Sequence, residues 1–168
     1  MDTGEYLVVV DCGVGCHYRL SDRGLLTEVD YVFITHSHLD HFLGLPEAIF
    51  QAHIEGRTRP LYIYALRVAE EAARLVATHL FKSPRYKIVF RRVSPGVPLD
   101  LPGLRVEAAE ACHHTAKEAY GFRLRAGVDV LFSGDTAAGC ESLRRLGAGV
   151  DVAVPEATCN EENGEVRR

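Results

Sequence analysis

No apolar run in the 168 residues approaches the length needed to cross a bilayer, so no membrane-spanning helix is expected. A CxxC pair is also absent. The five cysteines, Cys12, Cys16, Cys112, Cys140 and Cys159, are odd in number and scattered, and no disulfide framework is expected from them. Cys12 and Cys16 read as small buried or turn residues. The opening Met1-Asp2-Thr3-Gly4-Glu5 is acidic and leads straight into a short apolar strand, with nothing resembling a signal peptide. A reducing cytoplasm is therefore the expected setting. Excess charge of one sign is lacking too: a formal net charge of -4 gives no global drive toward nucleic acid or anionic membranes. The short basic runs Arg91-Arg92 and Arg144-Arg145 read as solvated faces. With no repeat, low-complexity tract or linker, residues 1–168 are expected to form a single domain.

What is present is a succession of apolar stretches bounded by turn residues. Tyr6 to Val10, stopped by Asp11-Cys12-Gly13, reads as a buried strand ending in a tight turn. Tyr31–Thr35, Leu61–Tyr64, Tyr86–Val93, Leu104–Ala111, Gly121–Leu124, Val128–Ser133 and Val150–Val154 read as further strands. Helical spacing of Val68, Ala72, Leu75, Val76, His79 and Leu80 predicts an amphipathic helix over Arg67–Phe81. Leu43–Ile54 and a short Glu141–Leu146, closed by Gly147, are two more helices. Hairpin-like pairs mixed with strand–helix units favour an α/β protein (α+β, mixed sheets) over a purely parallel one.

Chemistry concentrates in His36-Ser37-His38-Leu39-Asp40-His41, three imidazoles and a carboxylate within six residues. The apolar strand Val32–Thr35 precedes them, and alternation places His36 and His38 on one side as the chain leaves the sheet. Asp40 and His41 fall where the next helix starts. Neutral imidazole and carboxylate are ligands suited to zinc, and also to iron or manganese. One short segment cannot complete such a site. Two other strand ends share its grammar: Cys112-His113-His114-Thr115 after Leu104–Ala111, and Ser133-Gly134-Asp135-Thr136 after Val128–Phe132. His114 is the preferred ligand of the first, although counting along the strand from Leu104 favours His113. His17, His53 and His79 read as surface or helix-face residues.

Taken together, these motifs resemble the metallo-β-lactamase superfamily. His36 to His41 matches its His-x-His-x-Asp-His signature, and Asp11-Cys12-Gly13 resembles its first motif. His114 with Tyr120-Gly121-Phe122-Arg123 resembles the third, and Ser133-Gly134-Asp135-Thr136 the motif of the bridging Asp. Val154-Pro155-Glu156-Ala157-Thr158 and Gly44-Leu45-Pro46 are similar to the ribonuclease Z branch. The resemblance implies an αββα sandwich and a hydrolase that attacks with metal-activated hydroxide. It implies two ions, zinc by default with Mn or Fe as alternatives: His36, His38 and His114 for the first, Asp40 and His41 for the second, and Asp135 between them. Asp40 would also orient the attacking hydroxide, and Glu156 would help protonate the leaving group. No organic cofactor is implied. The implied substrates are phosphodiesters, as small molecules, nucleotides or RNA, and a homodimer is a possible assembly.

The departures from that pattern are specific. No histidine follows Glu156, although the superfamily usually supplies a last one to the second metal, and only ten residues precede Asp11. The chain therefore reads as truncated at both ends, or as a fragment, with the sandwich incomplete at the N- and C-termini. Arg123–Val128 runs almost directly into the Ser-Gly-Asp-Thr strand, leaving no room for a tRNA-clamping arm, and Pro155 replaces the branch's usual His. A phosphodiesterase of ribonuclease Z-like type fits these features. The alternatives are a hydrolase of esters, lactones, thioesters or sulfates on the same fold, or a truncated domain with impaired catalysis that serves as a binding module.

Overall fold

A computed structural model of the chain describes residues 1–80 and 85–157. Phe81, Thr158 and Cys159, which figure in the readings above, lie outside them. Two sheets carry the architecture. The first has the order β1 (Leu7–Val10), β2 (Val29–Phe33), β3 (Leu61–Tyr64) and β4 (Ile88–Arg91), all parallel. The second has the order β5 (Leu99–Leu101), β6 (Leu104–Glu110), β7 (Tyr120–Ala126), β8 (Val128–Phe132) and β9 (Val152–Val154), antiparallel except for the final β8–β9 pair.

Side-chain alternation sorts each strand between two cores. Every residue of β2 is buried, because this central strand is covered on both faces. Tyr31 and Phe33 join Val8, Tyr64, Leu104, Val106, Ala108, Phe122 and Leu124 in the layer between the sheets. Val32, Ile34, Leu61 and Ile63 point the other way, into a core shared with Leu45, Ala48, Ile49, Ala52, Ala69 and Ala73. Those last six sit on or beside α3 (Gly44–Ile54) and α4 (Arg67–Leu75), with α1 (Cys16–Ser21) and the four-residue α2 (Leu39–Phe42) ahead of them. The outer face of the second sheet carries α5 (Glu141–Leu146). Gly121 makes that seat possible: a Cβ there would lie 2.6 Å from a methyl of Leu143. The layers are thus helices, sheet, sheet, helix, the αββα sandwich that the family resemblance implies.

Several expected boundaries move. The helix over 67–81 is α only to Leu75 and continues as a π-helical turn, Val76–Leu80. The strand expected from Tyr86 starts at Ile88. Tyr86 instead turns its ring into the helical core and donates a hydrogen bond to the Ile49 carbonyl at 2.8 Å. Helix α1 and the short strand β5 had no clear periodic signal, because six and three residues are too few to show one. Buried Arg57 ties the loops ahead of β2 and β3 together, donating to the carbonyls of Thr27 (2.8 Å), Arg59 (2.9 Å) and Pro60 (2.7 Å).

The cysteines correct an expectation outright. Cys12 is bonded to Cys16, and Cys112 to Cys140. The second pair is separated by 28 residues, and only the fold brings its α-carbons to 5.6 Å.

Candidate metal centre

Four loops leave the same edge of the sandwich and meet there, after β1, β2, β6 and β8. The second, after β2, carries the histidine turn. Thr35 and His36 continue beyond the strand; the Thr35 carbonyl accepts the Tyr120 N–H at 2.9 Å, and His36 bridges Ala119. Ala111 N–H in turn bonds the Ala119 carbonyl, so the end of β6 and the start of β7 are fastened to the histidine segment. The chain then turns at His38 into α2, which carries Asp40 and His41.

A backbone contact decides how that turn sits. The loop Asp11-Cys12-Gly13 lies directly under it: Cys12 N–H donates to the His41 carbonyl at 2.7 Å, and a Cβ on Gly13 would overlap the Asp40 carbonyl. A Cβ on Gly44 would likewise overlap the Gly13 carbonyl. Two glycines therefore let two backbones touch, which explains the glycine in Asp-Cys-Gly as well as the one opening α3. Asp11 adopts a left-handed backbone, φ 59°, the one non-glycine residue to do so among the described residues. That conformation aims its carboxylate at Thr35 and His41: Oδ1 accepts the Thr35 N–H at 2.7 Å, and Oδ2 accepts the Thr35 hydroxyl and the His41 ring N–H, each at 2.8 Å.

The fourth loop follows β8 and brings Asp135 over the histidines. Its two oxygens face different partners. Oδ2 lies 3.7 Å from His36 Nε2 and 3.8 Å from His113 Nε2, while Oδ1 lies 3.1 Å from His41 Nε2. His113 Nε2 is 3.1 Å from His38 Nδ1. One atom from each of His36, His38, His113 and Asp135 falls within 4.8 Å of every other, the spread of donors around a single ion. His36 is fully buried, and its Nε2 has no hydrogen-bond partner among the described residues. A buried ring nitrogen left unbonded and surrounded by two imidazoles and a carboxylate is what a ligand set presents, so the residues fit a metal ion. Burial, reinforced by His41, His113 and His38, pushes the His36 imidazole down to about 4, which keeps it neutral and able to ligate. His41 moves the other way, raised chiefly by its hydrogen bond to Asp11.

Residues 6–166 match the model of the beta-lactamase superfamily domain. The chain belongs to that superfamily. Among curated members it is similar to the ribonuclease Z of Halorubrum lacusprofundi, 30% identical over 67% of this chain and 37% of that protein. It is also similar to the ribonuclease Z of Methanothermobacter thermautotrophicus, 25% identical over 90% of this chain and 65% of that one. Among solved structures, the short form of human tRNase Z aligns with a TM-score of 0.75 at 22% identity, covering 92% of this chain and 68% of that one. The metallo-beta-lactamase fold protein YhfI from Bacillus subtilis aligns with a TM-score of 0.74 at 20% identity, over 95% and 62%. Likeness at that identity concerns the fold. The chain spans 37% of the length of the Halorubrum protein, well under two thirds.

The expected site residues fall into four groups. His36, His38, His41 and Asp135 converge. Asp40 stands at the rim with its side chain 78% exposed, 3.7 Å from His41 Nε2. Glu156 lies behind Asp135, its carboxylate accepting the Thr136 N–H at 2.6 Å and its own N–H donating to the Ser133 hydroxyl. The fold places His114 elsewhere. It sits exposed in a turn outside the cluster, and His113 occupies the place expected of it. The strand ends at Glu110, so alternation no longer governs the next residues; the turn, clamped by the Ala137 N–H on the Cys112 carbonyl and by the Cys112–Cys140 bond, selects which ring points inward. His17, expected on the surface or on a helix face, lies on α1 and is buried, with Nδ1 3.1 Å from Glu47. Thr35 was missed as a site residue, although its place directly before the first histidine was visible in the sequence.

Proposed function

We propose that this chain carries the metal centre of a hydrolase acting on phosphodiesters, of ribonuclease Z-like type. The observation that carries the reading is Asp135, whose two oxygens face His36 and His113 on one side and His41 on the other. A carboxylate so divided suits two neighbouring ions, with His36, His38 and His113 for one and His41 and Asp40 for the other. Zinc is the first choice for this nitrogen-rich set, manganese or iron the alternatives. Such ions, when bound, lower the pKa of coordinated water toward neutrality and stabilise charge on phosphoryl oxygens.

The protein's own residues supply the positioning. Asp11 orients His41 through Nδ1, leaving Nε2 turned to the centre. Exposed Asp40 stands at the mouth, where a carboxylate can accept a proton from the attacking water. Glu156 holds the Asp135 loop through Thr136 and, one residue further out, is the group we assign to protonating the leaving oxygen. The curated relatives named ribonuclease Z support RNA as the substrate class. A cytoplasmic location, expected from the sequence, competes with the two disulfides, which belong to oxidising compartments or to the cytosol of hyperthermophiles. A free-thiol count on native protein separates those settings.

The test is turnover of bis(p-nitrophenyl) phosphate by zinc- or manganese-loaded protein, with His38→Ala as control. Metal-dependent hydrolysis lost in the control supports the reading. Hydrolysis of ester, lactone, thioester or sulfate substrates alone would replace the substrate class, and absence of bound metal would leave a binding module.

A further inference from the structure

We propose that Thr35 is a positioning residue that holds His36 in the tautomer protonated at Nδ1, so that the Nε2 lone pair is presented to the cluster. The inference rests on the metal-centre reading above, but its core is a matter of counting protons. Thr35 is 1% exposed and His36 fully buried, so water does not supply alternative partners. Gly134, φ 59°, lies on top of the threonine: a Cβ there would sit 2.8 Å from Thr35 Cβ and 3.0 Å from its hydroxyl oxygen. The hydroxyl touches two side chains, Asp11 Oδ2 at 2.8 Å and His36 Nδ1 at 3.1 Å.

A hydroxyl has one proton to give and lone pairs to receive with, whereas an ionised carboxylate only receives. If the proton pointed at His36, an oxygen lone pair would face the Asp11 carboxylate at 2.8 Å, unscreened. Pointed at Asp11, it makes a charge-assisted bond, stronger than the neutral alternative. The hydroxyl must then accept from His36, so Nδ1 carries the hydrogen and Nε2 carries the lone pair. Nε2 is the atom that lacks a hydrogen-bond partner and faces Asp135 and His113. The same Asp11 oxygen receives the His41 Nδ1 hydrogen directly. One carboxylate thus sets two rings on opposite sides of Asp135, His41 by contact and His36 through the threonine.

The experiment reads the tautomer in metal-free protein by nitrogen-15 NMR of the imidazoles near neutral pH, for wild type, Thr35→Ser and Thr35→Val. Zinc affinity of each is measured alongside by chelator competition. Wild type and Thr35→Ser are expected to show His36 protonated at Nδ1. Thr35→Val, which keeps the shape and removes the hydroxyl, is expected to populate the Nε2-protonated form and to bind zinc about ten- to a hundredfold more weakly, the usual cost of losing such a partner. Thr35→Ser should recover most of that loss. His36 protonated at Nε2 in the wild type would overturn the proposal, and so would a folded Thr35→Val protein that binds zinc as tightly. If Thr35→Val does not fold, the wild-type tautomer decides alone. If the wild type shows the Nδ1 form but binds no zinc, the proton arrangement stands and the metal-centre reading fails.

Discussion

Gly13 rests against the carbonyl oxygen of Asp40 with no space for a side chain between them. This contact joins the first loop to the histidine turn, so it bears on the geometry of the centre as much as on stability. Gly13→Ala should destabilise the protein by about 2–3 kcal/mol, since neither backbone can yield without moving the other. Gly127→Ala, at φ 77° with open space around it, should cost only the left-handed backbone penalty of about 1–2 kcal/mol. Urea denaturation of both variants checks the difference. Zinc affinity should fall for Gly13→Ala alone.

The two adjacent histidines of the loop after β6 should separate cleanly. His113→Ala removes a ring nitrogen 3.1 Å from His38 and is expected to weaken zinc binding at least tenfold. His114→Ala, in an exposed turn, should leave it within about twofold, as exposed substitutions are close to neutral. Titration of each variant against a zinc chelator is the measurement. Equal losses would mean that the turn rearranges when metal enters.

Cys112 precedes His113, and Cys140 closes the loop that carries Asp135. Crosslinking ends 28 residues apart removes about 3–4 kcal/mol of chain entropy from the unfolded state, against roughly 2 for Cys12–Cys16 at a separation of four. The paired Cys112→Ser, Cys140→Ser variant should therefore melt about 10 °C below wild type, and further below it than the Cys12→Ser, Cys16→Ser pair. Calorimetry of the two paired variants measures the ordering, and a dithiol reductant should lower the wild-type melting temperature at least as far as the Cys112, Cys140 pair does.

Alkali offers a test far from the metal centre. Burial pushes the Tyr86 hydroxyl up to about 12, with Arg57 partly opposing it. In the unfolded chain it ionises near 10, so the unfolded state loses its proton first. Stability from this group is complete below pH 10 and is lost as pH rises toward 12. The loss amounts to about 2–3 kcal/mol. Tyr86→Phe gives up the bond to Ile49, about 1 kcal/mol at neutral pH, and should flatten the slope of stability against pH above 10.

By itself the sequence determined what local periodicity and local chemistry can carry. The apolar run Val32-Phe33-Ile34-Thr35 marked a strand with the histidines at its end. The strand-end pattern also singled out Asp135, which lies beside the histidines, and the resemblance of the motif series from Asp11 to Glu156 pointed to the αββα sandwich. Tertiary structure decided whatever depended on meetings across the chain. The choice of His113 over His114 was made in a turn where alternation had ended and contacts with residues 112, 119, 137 and 140 took over. The pairing of Cys112 with Cys140 needed two loops to arrive within bonding reach. The division of Asp135 between His36 and His41 depended on the backbone contact of Gly13 with Asp40, an approach that no residue pattern encodes because it is set by the space two chains leave each other.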